Sequence, residues 1–351
     1  MKEQSSQYLN GKTGNDAHVI FKAHDRSYFS LLKKDIHNIS VSIGFSDQKI
    51  AEIDIITAEL ASNLVKHAGG GNLLVKPVTN EHGIKGIEII SMDSGPGMTD
   101  VPRLMTDGVS SQNTLGLGLG AIKRLSDVFQ VFSLKAWGTI ILVRVFTKES
   151  PVLSRPSKSE IRSIVFPKPG EESCGDSFFH KTANGHIYLF LGDGLGHGVD
   201  AANAVKKAGE AFLNCQETRP EETIRFIDSA VKKTRGLVGT VAIFDIKEKV
   251  WRLCGVGNIS TKISGPTLSK HYIAYNGIIG LNVPRTLTSQ EIKYEKGQQI
   301  ILCSDGIKTR WDLLKYTGIL RYDLSVLVAC IIKDFGRNTD DTSVAACKLT
   351  Y

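Results

Sequence analysis

No apolar run in this 351-residue chain approaches the roughly 18 residues that a membrane-spanning helix needs. The start, MKEQSSQYLN, is polar where a secretory signal would turn apolar. A membrane protein and an exported one are thereby disfavoured, and the expected location is the cytoplasm. Six cysteines stand apart at 174, 215, 254, 303, 330 and 347 without a CxxC pair, so a zinc ribbon and a dithiol redox motif have nothing to build on. Reduced thiols are the expected state. Aromatic residues make up only 7% of the chain and no basic run is interleaved with them, which removes the usual signature of nucleic-acid binding. Internal repeats and long low-complexity tracts are missing as well.

What is present is an ordinary globular balance, 41% hydrophobic and 23% charged, in a chain long enough for two cores. The division is expected near TKESPVLSRPSKSE, where Ser, Pro and Lys interrupt an apolar pattern. This gives a tail over 1–16, a first domain over 17–148, a linker over 149–163 and a second domain over 164–351. Of the 43 Lys and Arg and 36 Asp and Glu, residues 1–150 hold 16 and 15, so all but one of the net +7 charges fall on residues 151–351. Such an excess can steer acidic or phosphorylated partners, although it is also what plain surface solubility looks like.

Glycine is plentiful, and LFLGDGLGHGV, residues 189–199, sets Asp193 in a glycine-dense turn straight after an apolar run. A backbone this permissive lets a carboxylate and a neighbouring carbonyl reach one hard cation. GDSFF supplies Asp176 before it, LCSDG supplies Asp305, and NTDDTSV supplies Asp340 and Asp341. Each lies at a strand-like edge, so a sheet would gather them at one rim. Singly they read as solvated turns, since GD and DG are ordinary turn dipeptides. Together, in this order, they resemble the metal-dependent PPM-type serine/threonine phosphatases, most closely the SpoIIE and RsbX-like branch, over about residues 164–351. The resemblance implies an α-β-β-α domain in which Asp176, Asp193, Gly194, Asp305 and Asp340 bind two Mn2+ or Mg2+ ions, with Asp341 next to the last ligand. Two such cations neutralise a phosphate ester and activate water, and oxygen ligands suit them. Without metal the carboxylates would repel one another, so the cations should stabilise the fold too. His197 reads either as an acid or as a residue ordering the glycine turn.

A second set of motifs precedes residue 148. SDQKIAEIDIITAELASNLVKHA, residues 46–68, has apolar residues at helical spacing behind Ser46 as an N-cap. Glu59, Asn63 and His67 then share one face of the helix. GIEIISMDSGPGM reads as a strand ending at Asp93, followed by a turn in which Gly95 and Gly97 permit close backbone approach. TLGLGLGAIKRLSDVF reads as a glycine loop opening a helix, whose free amides can hold phosphate. WGTIILVRVF reads as a closing strand with Thr139 at its start. Gly116, Gly118 and Ala121 also satisfy the dinucleotide fingerprint GxGxxA, but VSSQNT before them is unlike a strand and no acid follows where that fold needs one.

The three boxes in order, with the final GT, resemble the GHKL ATPase superfamily, especially the RsbT-like anti-sigma and switch kinases, over about residues 17–147. The resemblance implies a two-layer α/β sandwich of Bergerat type that binds ATP with Mg2+. It also implies Glu59 as general base, Asn63 as magnesium ligand and Asp93 as reader of the adenine amino group, assisted by Thr139. Gly95 and Gly97 would line the purine, and Gly116, Gly118 and Gly120 would cradle the phosphates. Lys123 and Arg124 read either as phosphate contacts or, one turn inside a helix, as a solvated face, and are not counted in the site.

The expected architecture is therefore α/β (α+β): helices on one face of a mixed sheet, then a two-sheet sandwich flanked by helices. The expected function is a two-way switch that phosphorylates and dephosphorylates a serine or threonine on a STAS-domain-like partner. The pathway would be stress or sigma-factor partner switching, with a sigma factor or a downstream phosphatase as a further partner. A different class stays open, in which the first domain binds ATP to sequester a partner or to sense nucleotide, without phosphoryl transfer. Glu59 argues for chemistry, because a pure binding module needs no base there.

Overall fold

The computed structural model describes residues 17–25, 29–101, 118–148, 158–265 and 269–351, over which the elements below are numbered. The expected tail 1–16, Gly116 and linker residues 149–157 lie outside the described residues. The chain divides into two compact units.

The first unit takes residues 18–156 together with 317–330. Helix α1 (Phe29–Ile43) buries Leu32, Ile36, Ile39 and Ile43, and helix α2 (Asp47–Ala68) buries Ile50, Ile53, Ile56, Thr57, Leu60, Ala61 and Leu64, the three-and-four spacing of one helical face. The Ser46 side chain caps α2 by accepting from the Lys49 amide, and Gly69 ends it at φ 70°, a left-handed geometry that favours glycine. Strands β1 (Val19–Ala23), β2 (Gly71–Thr79), β3 (Lys85–Asp93), β4 (Val128–Leu134) and β5 (Gly138–Phe146) form a sheet in the order β1-β2-β3-β5-β4. Every pairing in it is antiparallel, so the expected mixed sheet is corrected. The short β2–β3 and β4–β5 turns can only send the chain back antiparallel. Ile87, Ile89, Ile141, Val143 and Val145 meet the helices in one core.

The other face of that sheet is also buried, and it is polar at its centre. Glu88 and Arg144 face each other in the β3–β5 register and are 1% and 5% exposed. The guanidinium donates Nε–H to Glu88 Oε2 at 2.7 Å and clasps Asp323 with two bonds of 2.7 and 2.9 Å. Ser325 accepts from Arg144 and donates to Glu88, while the Asp323 amide donates to Gln130. A segment about 180 residues distant in sequence thus completes this unit's interior. Burial alone would raise the Glu88 carboxyl, but Arg144, the His18 hydrogen bond and Lys76 outweigh it and hold the group well below its ordinary value.

The second unit takes residues 157–316 and 331–351. One sheet, in the order β13-β10-β9-β8-β7, uses β7 (Asp176–Ala183), β8 (His186–Gly194), β9 (Leu237–Asp245), β10 (Val250–Val256) and β13 (Gln290–Lys293). The other, β12-β11-β14-β15-β6, uses β6 (Ser159–Phe166), β11 (Ser260–Ser264), β12 (Ser269–Tyr272), β14 (Gln299–Cys303) and β15 (Thr342–Leu349). Leu189, Leu191, Ala242, Phe244 and Leu253 of the first sheet share a core with Val165, Ile263, Ile300, Leu302 and Ala345 of the second. The further helices among the described residues before residue 300 are α3 (Gly118–Leu125), in the first unit, and α4 (Val199–Asn214) and α5 (Pro220–Val231), in the second. Val205, Ala208, Phe212, Ile224 and Ile227 of α4 and α5 pack on Tyr188, Phe190, Val241 and Ile243.

Two boundaries differ from expectation. Strand β6 begins at Ser159, inside the stretch read as linker, because all eight of its residues pair with β15. Helix α6 (Leu324–Phe335) belongs to the first unit up to Cys330, since its N-terminal end carries the partners of Arg144. All six cysteines are free and buried. No helix among the described residues is long and apolar enough to cross a membrane.

Candidate active sites

In the first unit, the half-buried Glu59 and Asn63 lie one turn apart on α2 and meet the start of α3. A Cβ added to Gly118 would lie 3.0 Å from Glu59 Oε2 and 3.8 Å from the Asn63 amide. A side chain there would crowd the carboxylate, so glycine suits the start of the helix. Gly120 is buried in the first turn of α3, and His67, two turns beyond Glu59, is half-buried on the same helix.

At the end of β3, Asp93 Oδ1 accepts from the amides of Gly95 at 2.8 Å and Thr139 at 3.2 Å. A Cβ on Gly95 would press on Ala68 at the end of α2. Gly97, at φ 72°, lies against the Leu134 carbonyl, and a side chain there would strike it. Asp93, Gly95, Gly97 and Thr139 are thus gathered where β3 and the β4–β5 hairpin end. Sequence reasoning missed Ser133, whose hydroxyl contacts the Thr139 hydroxyl at 2.9 Å, donates to the Gly138 carbonyl and accepts from the Met98 amide. Its signal was its register opposite Thr139, which is legible only once the hairpin is placed.

In the second unit, Asp176 and Asp193 are directly opposed in the β7–β8 ladder. Gly194 donates to the Gly175 carbonyl at 2.9 Å and lies so near the Ala201 backbone that a Cβ would collide with it. Asp193, Gly194, Gly196, His197, Asp305 and Asp340 line a cleft of about 370 Å³, and Asp176 lies buried, 1% exposed. Burial first, then repulsion from Asp176, Asp305, Asp340 and Asp341, pushes the Asp193 carboxyl far above its ordinary value. Burial likewise raises Asp176, and Asp341 and Asp305 add to the rise, against the hydroxyls of Ser304 and Ser343. Neither Asp176 oxygen has a hydrogen-bond partner of ordinary geometry.

No three acidic, His or Cys side chains among the described residues already stand at ligating distance around one point. Two orphaned buried oxygens beside three further carboxylates nevertheless fit hard divalent cations, which take oxygen donors and relieve that repulsion. Asp341 has a different task. Its oxygens accept from the amides of Lys168 and Gly175, both at 2.8 Å, and this fixes the turn that carries Asp176. Three neighbours escaped the sequence reading. Asn258 donates to Asp305 at 3.0 Å, Asn276 lines the cleft, and Glu171 holds His197 Nδ1 at 2.7 Å. Only the Gly257-Asn258 turn after β10 hinted at Asn258.

The histidine kinase-like ATPase domain family matches residues 25–145, and the stage II sporulation protein E family matches residues 183–315. The serine/threonine-protein kinase RsbT of Bacillus subtilis (strain 168) is 38% identical over 104 residues, 30% of this chain and 77% of that protein. The phosphoserine phosphatase RsbX of the same organism is 26% identical over 150 residues, 42% of this chain and 75% of that protein. A chain from a bacterial stressosome structure superposes with a TM-score of 0.52 at 30% identity, covering 55% of this chain and all of its own length. The chain therefore belongs to the RsbT family through its histidine kinase-like ATPase domain, and joins to it a PPM-type phosphatase domain of the SpoIIE and RsbX kind.

Proposed function

We propose that this chain is a two-way switch, with an ATP-dependent serine/threonine kinase and a metal-dependent phosphoserine/phosphothreonine phosphatase acting on one STAS-type partner. The carrying observation is the opposed pair of the buried Asp176 and the half-buried Asp193, both raised beside the Asp305 and Asp340 cleft. Such a concentration of carboxylate is costly to a fold unless cations neutralise it. Asp176, Asp193, Asp305, Asp340 and the Gly194 carbonyl would hold two Mn2+ or Mg2+ ions. When bound, these supply positive charge for the phosphoryl oxygens and make water more acidic. Asn258 steers the Asp305 carboxylate through its hydrogen bond, and Asp341 keeps the Asp176 turn in place.

Similarity to RsbT supports the kinase half. Glu59 would take the proton from the attacking hydroxyl, Asn63 would hold Mg2+, and Asp93 with Thr139 would receive the adenine of ATP. Gly95 and Gly97 would leave room for the purine, and Gly116, Gly118 and Gly120 for the phosphates. Partner switching in the cytoplasm is the setting this reading implies.

Mass spectrometry of a STAS-domain partner incubated with the full chain, ATP, Mg2+ and Mn2+ tests it. Wild type should leave partner phosphorylation at a plateau below completion. Asp193→Asn should carry it towards full occupancy. Glu59→Ala should still bind ATP, yet lose about 10² to 10⁴ in transfer rate, so a pre-phosphorylated partner should fall towards zero. Wild-type transfer by Glu59→Ala would leave ATP binding without kinase chemistry through this residue.

A further inference from the structure

The lip of the acidic cleft carries a cation that the metal site does not use. Arg235 stands in the turn before β9, with its guanidinium against the glycine loop: a Cβ built on Gly196 would lie 3.1 Å from Arg235 Nη1. The Leu195 amide donates to the Gly236 carbonyl at 3.2 Å, and this ties the turn to a loop that lines the cleft. Arg235 itself stands outside the lining, so it borders the cleft rather than its acidic floor.

Its ion-pair partner is Asp200, 3.4 Å away, with the two side chains 52% and 68% exposed. A pair this exposed contributes at most about 1 kcal/mol. An incoming carboxylate can therefore replace Asp200 at little cost, and Asp200 resembles the group it would yield to. Exposed apolar side chains stand on the segments that adjoin this pair. Val199 precedes Asp200 and is 65% exposed, and Leu281, 59% exposed, reaches within 3.3 Å of a Cβ built on Gly236. An exposed guanidinium with uncovered apolar side chains on the adjoining segments fits a peptide segment that is acidic with apolar neighbours, and an arginine can anchor such a contact.

We propose that Arg235, with Val199 and Leu281, forms a substrate-docking lip that selects protein segments carrying an acidic side chain beside the phosphorylated serine. This rests on the phosphatase reading of the cleft. Recognition here acts on the polypeptide around the phosphoserine and leaves the phosphoryl group to the floor, so specificity and turnover are separable.

The test uses the full chain and two fluorescent phosphoserine peptides with apolar flanks, one with adjacent glutamates and one with glutamines in their place. Fluorescence anisotropy reads binding, and p-nitrophenyl phosphate with Mn2+ reads the chemistry of the floor. Wild type should bind the glutamate peptide about fivefold more tightly, the equivalent of one exposed charge pair. Arg235→Gln should erase that difference, and Arg235→Glu should reverse it towards a lysine-flanked peptide, with turnover of p-nitrophenyl phosphate unchanged in both. Equal binding of the two peptides by wild type would overturn the lip, as would a preference that survives Arg235→Gln. Loss of p-nitrophenyl phosphate turnover in Arg235→Gln would overturn it too, because the arginine would then serve the phosphoryl group. Failure of wild type to hydrolyse p-nitrophenyl phosphate would strike the phosphatase reading instead, and the anisotropy result would still judge the lip.

Discussion

Asp193 shows what a single residue can reveal, because an aspartate directly opposite another in an antiparallel ladder works against the strand pairing that carries it. Asp193→Asn should therefore have effects of opposite sign. In metal-free buffer the variant should melt above wild type by about 2–4 °C, the shift expected for roughly 1 kcal/mol in a domain this size. Added Mn2+ should raise the melting temperature of wild type and leave the variant nearly unmoved, which calorimetry with and without chelator would show. Hydrolysis of p-nitrophenyl phosphate by the variant should fall by at least about 100-fold, the rate equivalent of several kcal/mol of lost charge stabilisation. Cys303→Ser, two residues from Asp305, should leave that rate nearly intact. Burial pushes the Cys303 thiol far above its ordinary value, so no thiolate is available at neutral pH. Chelator-resistant activity that depends on Cys303 would contradict the metal reading.

At the level of elements, β3 and β5 put an ion pair where strands normally place apolar side chains. Arg144→Met leaves Glu88 charged and buried, and should cost about 3–5 kcal/mol in urea titration. Glu88→Leu combined with Arg144→Met should recover much of that loss, since a well-packed apolar pair is often as stable as the ion pair it replaces. The pH dependence follows from the same network. The native Glu88 value is depressed, so its contribution is present above the unfolded value of about 4.5 and is lost as pH falls through the lower native value. The first unit of wild type should lose stability in that acid range, and the double variant should lose less. Helix α2 offers a smaller check: Ser46→Ala removes its cap and should cost about 1 kcal/mol.

The whole molecule is not two consecutive beads. Residues 317–330 come late in the chain yet complete the first unit, where Asp323 and Ser325 satisfy a buried guanidinium. A chain cut after Pro156 lacks those partners. Its β3 and β5 amides, around Glu88 and Arg144, should exchange with solvent faster than in the full chain, and hydrogen exchange by mass spectrometry measures this directly. Protection equal to the full chain would show that the segment adds nothing to the unit. Truncation data on the first half therefore report the loss of 317–330 along with the intended cut.

The sequence by itself determined what depends on near neighbours. The Ser46 cap, the apolar face of α2, the turn after Asp93 and the glycine turn around Asp193 are written in stretches of a few residues, where spacing and backbone freedom decide the outcome. The candidate residues were legible for the same reason, since each sits in a short motif. Only tertiary structure decided their relations. The antiparallel sheet, the opposition of Asp176 to Asp193 and the close approach of Gly118 to Glu59 depend on register and packing between segments far apart in sequence. The same holds for Asp341, which two backbone amides claim, and for Asn258, which reaches Asp305 from 47 residues away. Least legible of all was Arg144. It is one charge in the apolar stretch WGTIILVRVF, and its meaning came from Asp323, 179 residues on, because a buried charge is settled by whichever partner folding brings to it.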